Sequence, residues 1–331
     1  MNNNSEQWMV ASPGRRGLAA LVEAMRPGHW IKNAFVLAPI LFARRYADAA
    51  AWGRIAIAFA VFCLLSSGAY LVNDAWDRVR DRSHPAKRHR PVASGRLSPL
   101  AAWSAGVLLA VGGLAIAAAE GLIYAGPDLP LRGLGLPIWA GAYVLLSFAY
   151  TFWLKNHDVV DVLVVAFGFV LRAMAGAAAI AVAPSPWLVL CTFTLCLYIA
   201  LAKRRSELVD LPAEQALAAR PASGLYDVRD VEHMLTVSTA MAILAYSLYC
   251  LAPSTIAHAG SAHMVWTIPL VIYGLFRYNR ITRTAGRDDP VAVLLRDKAM
   301  WLVMAAYLAM SVLVLQFGGR PSVRNVIELP K

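Results

Sequence analysis

Asn73, Asp74, Asp77 and Asp81 have the residue types and spacing most suggestive of chemistry. On a helix Asn73, Asp77 and Asp81 stack at i, i+4 and i+8, and Asp74 reaches Asp77 at i+3. Carboxylates so spaced repel one another, and three on one face cost stability unless a cation lies among them. A loose set of oxygen ligands suits Mg2+, which keeps several waters and bridges protein carboxylates to substrate phosphates. Arg78, Arg80 and Arg82 offer the rival account, a solvated helix end laced with salt bridges. The metal reading is preferred, because the acids close an apolar run that has little other need of them.

A basic loop follows at once. Pro85 lacks an amide donor and disfavours helix at His84, so the helix is expected to stop there. Beyond it AKRHRPVASGR presents Lys87, Arg88, His89, Arg90 and Arg96, with Gly95 to turn the chain. Arginine forks and lysine point charges are the usual phosphate partners. Residues 72–96 hold three Asp, one Asn, two His and seven Lys or Arg. An acidic face beside a basic loop predicts a site for a magnesium diphosphate.

Other signals are thinner. YTFWLKNHDVVD puts Tyr150 and Lys155 at the end of one apolar run and Asp158 and Asp161 at the start of the next. A lysine beside aspartates is often a plain interfacial ion pair, and Asp158 fits that account equally well. Asp161 is the better functional candidate because it heads an apolar run. Arg172, at i+11 from Asp161, lies about 16 Å further along the axis at ~1.5 Å per residue. An arginine that deep needs an anionic partner, either a protein carboxylate or a ligand phosphate. RPGHWIKN at 26–33 reads as an interfacial anchor through Trp30 and Lys32, which leaves Asn33 unexplained. Lys203, Arg204, Arg205 and Glu207 close a later run, and the polar stretch 203–233 could carry a short helix, its role as a lid left open. Asp288, Asp289 and Asp297 in the last polar loop read as a structural turn.

These groups need a scaffold, and the composition names its class. Of 331 residues, 59% are apolar and 15% charged, against roughly a quarter charged in soluble domains. The chain is therefore expected to be an all-α polytopic membrane bundle of about nine transmembrane helices, most near the ~20 residues that cross a hydrocarbon core. The expected spans are 20–42, 53–72, 100–119, 134–153, 159–182, 186–203, 234–252, 264–281 and 299–317. Residues 1–19 are expected to be an N-terminal tail without a cleavable signal, 20–317 a single transmembrane catalytic domain, and 318–331 a C-terminal tail. Basic loops alternate with nearly uncharged connections, which puts the N terminus and the acidic mouth on the cytoplasmic side of the inner (cell) membrane. Arg44, Arg45 and Arg54 are exceptions to that alternation. The same rule and anionic lipid account for the net charge of +11, so no nucleic acid is expected as a partner. Cys63, Cys191, Cys196 and Cys250 lie in apolar runs without metal or disulfide spacing and read as packing residues. No Walker loop, HExxH, triad or CxxC pattern occurs. A homo-oligomer stays open.

The signature Asn73-Asp74-x2-Asp77-x3-Asp81, the Tyr150 to Lys155 element and the Asp158/Asp161 pair resemble the UbiA superfamily of intramembrane prenyltransferases over nearly the whole chain. RPGHWIKN, DRSHPAKRHRPVASG at 81–95, YTFWLK at 150–155, GFVLRAMAG at 168–176 and AKRRSEL at 202–208 look like its decaprenyl-phosphate phosphoribosyltransferase branch. The resemblance implies a nine-span bundle and an Mg2+ cofactor. It also implies transfer of a 5-phosphoribosyl group from phosphoribosyl diphosphate to a polyprenyl phosphate, as in arabinan precursor synthesis. Asn73, Asp74, Asp77 and Asp81 would then hold metal and diphosphate. His84, Lys87, Arg88 and Arg90 would take the sugar phosphate. Tyr150, Lys155 and Asp161 would act in catalysis, and Lys32, Asn33, Arg172 and Lys203 would hold the lipid head group. Family members tend to carry a fuller DxxxD second motif, whereas here Asp158 and Asp161 are more closely spaced, which puts a second protein-bound metal in doubt. The same first motif also fits a prenyltransferase that alkylates an aromatic acceptor with a prenyl diphosphate. A transporter would show inverted repeats and broken helices, and the sequence displays neither clearly.

Overall fold

In a membrane every backbone amide and carbonyl must be paired within the protein, so long apolar runs close into helices. The computed structural model describes residues 13–85, 87–125, 135–209, 227–284 and 296–318, and among these there is no strand. Among the described residues seven helices are long and apolar enough to cross a membrane. They are α3 (Ala49–Trp76), α5 (Pro99–Ala125), α6 (Gly135–Phe152), α7 (Val160–Ala179), α8 (Pro186–Val209), α9 (Val228–Leu251) and α12 (Lys298–Phe317). An eighth element is broken. Here α10 (Pro253–Ala259) meets the segment containing α11 (Ile268–Thr284) at a bend of 96°, after Gly260 turns the chain at φ 76°. The protein is an integral membrane helical bundle.

The expected first span, 20–42, is not one helix. α1 (Pro13–Met25) begins inside the expected tail and stops before Arg26, which takes a left-handed conformation at φ 55° and ψ 62°. Pro27 and Gly28 then open a 3-10 segment, Pro27–Leu37, which hands over to the short α2 (Ala38–Phe42). Hydropathy gives the length of such a run but not its winding; proline and the strained joint set the break. The stretch weighed as a lid falls largely on residues 210–226, outside the described residues, and so do Asp288 and Asp289.

α3 and α7 form the centre, each 61% buried along its most apolar stretch, whereas α12 at 17% lies on the periphery. Small residues let backbones approach there. A Cβ on Gly68 of α3 would lie 2.7 Å from the Gly106 carbonyl oxygen of α5. A Cβ on Gly176 of α7 would run into the Val36 carbonyl of the 3-10 segment. Val36 and Ile40 thereby join Ile55, Phe62 and Leu171 in the principal core. The broken first element is thus packed inside the bundle against α3 and α7.

Candidate active site

The site forms where α3 yields to α4 (Arg78–Ser83). Asp77 lies between them at φ −84° and ψ 5°. Its amide bonds the Asn73 carbonyl at 2.9 Å, and the Asp81 amide bonds the Asp77 carbonyl at 2.8 Å. The helical hydrogen bonding thus carries across the joint, and two cations sort the acidic set into two pairs.

Asn73 and Asp77 share Lys155. Its Nζ donates to both Asp77 carboxylate oxygens at 2.6 Å and to Asn73 Oδ1 at 3.2 Å. Lys155 is buried in the 3-10 turn Leu154–Asn156 after α6. Asp74 and Asp81 share Arg90 from the basic loop, whose Nη1 donates at 3.1 Å to Asp74 Oδ1 and at 2.8 Å to Asp81 Oδ2. Arg26 adds an Nη2 bond of 2.5 Å to Asp74 Oδ1, with its guanidinium carbon 4.8 Å from the Tyr70 ring centre. Three carboxylates therefore meet cations from three separate parts of the chain.

This differs from an open metal face. Among the described residues no three acidic, imidazole or thiol side chains converge as a metal cluster. The physical reason is mutual repulsion in a low dielectric, relieved here by basic side chains set between the acids. Within this carboxylate set Asp74 Oδ2 is buried and accepts no hydrogen bond. Mg2+ typically takes one or two protein carboxylates and completes its shell with water and phosphate oxygens. The donor set fits such an ion. Burial pushes the Asp81 carboxyl above its usual pKa; Arg90 and Lys87 pull it back, while Asp74 and Asp77 add to the rise.

The basic loop is braced rather than loose. Arg96 forms a fork with both Glu23 oxygens at 2.6 and 2.7 Å and also donates to the His89 carbonyl at 2.9 Å. Arg82 donates to the Ala93 carbonyl at 3.0 Å, and Gly95 turns the chain at φ 84°. Val92 and Leu97 anchor the loop in a small core with Ala20, Ala24 and Leu71. His84 Nδ1 accepts from the Lys87 amide at 3.3 Å, whereas Arg88 and His89 are exposed and bond each other. The helix ends at Ser83 with His84 as its C-cap, as Pro85 leads one to expect.

The remaining candidates fall in different places. Asp161 is fully buried in the first turn of α7 and pairs with Arg204 of α8, which also bonds Glu207 at 2.7 Å. Asp158 is exposed before that turn, Lys203 is exposed on α8, and Tyr150 is half-buried near the end of α6. Arg172 finds neutral acceptors: Asn33 Oδ1 at 2.8 Å, the Gly168 carbonyl at 2.8 Å and the Tyr143 hydroxyl at 2.9 Å. Asn33 in turn donates to Ser66 Oγ and Cys63 Sγ, each at 3.3 Å, tying the 3-10 segment to α3. Trp30 is turned inward as well, its indole bonding Ser67 at 3.0 Å, so RPGHWIKN lines the bundle and is more than an interfacial anchor. Lys32, in the same segment, is half-buried.

Sequence reasoning assigned no role to Arg26 or Tyr143. Arg26 was visible as the first cation of RPGHWIKN; nothing in the local pattern ties Tyr143 to Arg172.

A polytopic helical bundle with an Asn/Asp-rich helix end facing a basic loop and a buried lysine has the features of an intramembrane transferase. The chain belongs to the UbiA prenyltransferase family, which residues 34–303 match. It is similar to the decaprenyl-phosphate phosphoribosyltransferase of Mycolicibacterium smegmatis, with 31% identity over 318 residues, 92% of this chain and 95% of that protein. It is likewise similar to the enzyme of that name from Corynebacterium glutamicum, with 33% identity over 293 residues, 87% of this chain and 84% of that one. In fold it resembles a UbiA homolog from Archaeoglobus fulgidus solved with DMAPP and Mg2+, with a TM-score of 0.65 over 90% of this chain and 99% of the other, at 16% identity.

Proposed function

We propose that the protein transfers a 5-phosphoribosyl group from phosphoribosyl diphosphate to a polyprenyl phosphate and releases diphosphate. The observation that carries this reading is Arg90: one loop guanidinium bonds both Asp74 and Asp81, so the acidic helix end and the phosphate-binding loop are one site. The names of the relatives agree with it. The mouth is proposed to face the cytoplasm, where a soluble sugar donor is available.

When bound, a divalent cation, proposed as Mg2+, neutralises the leaving diphosphate. Asp74, through its unpaired oxygen, would hold it together with Asn73, Asp77 and Asp81. Lys87 and Arg90 bind the donor's 5-phosphate, with His84 and Arg88 on the same loop. Lys155 and Tyr150 stabilise charge at the reacting end. The anomeric C–O bond to diphosphate breaks with oxocarbenium character, and a lipid phosphate oxygen forms the new bond. That oxygen is already anionic, so no strong general base is required. Lys32, Asn33 and Arg172 are proposed to receive the lipid head group. Lys203 is left out of that clamp because it is exposed on α8, and Asp161 is reassigned to holding α7 against α8 through Arg204.

The test supplies the purified protein with Mg2+, a polyprenyl phosphate and labelled phosphoribosyl diphosphate, and in parallel with a labelled prenyl diphosphate and an aromatic acceptor. Label passing from the sugar donor into the lipid phase is the expected result. Prenylated aromatic product with no sugar transfer would overturn the reading in favour of the alkylating alternative.

A further inference from the structure

Arg26 is not explained by the roles given so far. Its side chain is 21% exposed, yet it reaches a carboxylate that is 1% exposed. It does so from a backbone in the left-handed region, φ 55° and ψ 62°, which a non-glycine residue adopts only under local constraint. The constraint is on view. The Arg26 amide bonds the Glu23 carbonyl at 3.1 Å, its carbonyl accepts from the His29 amide at 2.9 Å, and Pro27 follows at once. The strained joint between α1 and the 3-10 segment aims the guanidinium at Asp74, and Tyr70 supports it from one side.

Asp74 Oδ1 is then doubly engaged, by Arg26 and by Arg90, while Oδ2 has no partner. Two guanidiniums on one carboxylate oxygen exceed what that charge needs. A guanidinium has five N–H donors in a planar fork that matches phosphate oxygens, and the Asp74 bond uses one of them.

We propose that Arg26 is a donor-binding residue that, from Oδ1, competes for the charge of Asp74 with a divalent cation at Oδ2, and exchanges onto a phosphate of the donor when cation and donor bind together. This rests on the reading of the mouth as a metal-diphosphate site. It follows that Arg26 opposes metal binding alone and favours the metal-donor complex, two effects of opposite sign from one side chain. A brace that merely holds α1 in place has no such signature.

The experiment is calorimetry on the full-length protein in nanodiscs, first with MgCl2 alone and then with phosphoribosyl diphosphate at saturating MgCl2. Arg26→Gln is expected to bind Mg2+ several-fold more tightly than the wild type when no donor is present. Its affinity for phosphoribosyl diphosphate is expected to fall by roughly tenfold or more, as for the loss of a charge-assisted hydrogen bond. Unchanged or weakened Mg2+ binding, or an unchanged donor affinity, overturns the assignment. Should Arg26→Gln fail to fold, Arg26→Lys carries the same test, because it keeps the charge and loses the fork. Both affinities then move in the same opposite directions by smaller factors, and either one unchanged overturns the proposal. Tighter Mg2+ binding in the variant, with no phosphoribosyl diphosphate binding even in the wild type, supports the competition at Asp74 and sinks only the donor named above.

Discussion

Two charged regions of this bundle use the same side chains in different ways. At the mouth, Asp74, Asp77 and Asp81 meet Arg26, Arg90 and Lys155, and Asp74 keeps one buried oxygen unbonded. In the second region Asp161 is closed by Arg204, and Arg172 is knitted to Asn33, Gly168 and Tyr143. In the first arrangement Arg26 and Arg90 reach in from a partly exposed rim and can be exchanged for a ligand, with Lys155 buried beneath them. The second ties α7 to α8, to α6 and to the 3-10 segment; its Asp161–Arg204 pair acts as a scaffold, while Arg172 and Asn33 are held in place there as the proposed lipid head-group clamp. An aspartate near an arginine in a membrane protein is therefore not by itself a site; the spare acceptor and the exposed rim distinguish the mouth.

Breaking the second region affects folding first. Asp161→Asn leaves the buried Arg204 with the half-buried Glu207 as its remaining carboxylate, and loss of one partner of a buried ion pair costs up to about 3–5 kcal/mol. The thermal unfolding midpoint in detergent drops substantially, while the protein that remains folded keeps its turnover number. A wild-type midpoint with abolished turnover would move Asp161 back into the active site. A smaller effect is expected where backbones touch. Gly176→Ala forces α7 away from the Val36 carbonyl, an overpacking cost of about 1–3 kcal/mol, read as a lower unfolding midpoint. Full stability in that variant would mean that the 3-10 segment is not fixed against α7.

The mouth gives the subtlest signal, through pH. Burial raises the Asp81 carboxyl, so the folded protein holds this proton to a higher pH than the unfolded chain. The associated stability is fully present below the ordinary carboxylate pKa and is lost as pH rises through the raised value. Metal binding runs the other way, strengthening as Asp81 loses its proton. The acid limb of Mg2+ affinity is expected above the usual carboxylate range, and Asp81→Asn should flatten it; a limb unchanged in Asp81→Asn would assign it to another group.

Much of the mouth was legible because its parts are local in sequence. Asn73 to Asp81 fall on consecutive turns, the loop follows directly, and Lys155 stands beside its own run of polar residues. The rest depended on contacts that no local pattern encodes. Arg26 meets Asp74 across 48 positions, and Asn33 meets Arg172 across 139. Apolar length revealed the membrane bundle but not the winding of its first element, because a 3-10 segment and an α-helix satisfy the same hydropathy. The two pairs within the acidic stack were hidden for a related reason. Helical spacing puts Asn73, Asp77 and Asp81 together, whereas the cations, Lys155 and Arg90, decide which of them share a partner.

The most direct test of the central claim, that the acidic helix end holds a metal diphosphate, is Mg2+-dependent transfer from labelled phosphoribosyl diphosphate to polyprenyl phosphate by Asp77→Asn beside the wild type. Turnover is predicted to fall on the order of 10³-fold, the scale of several kcal/mol of lost charge stabilisation, with the folded protein intact. Full Mg2+-dependent turnover in Asp77→Asn would contradict it.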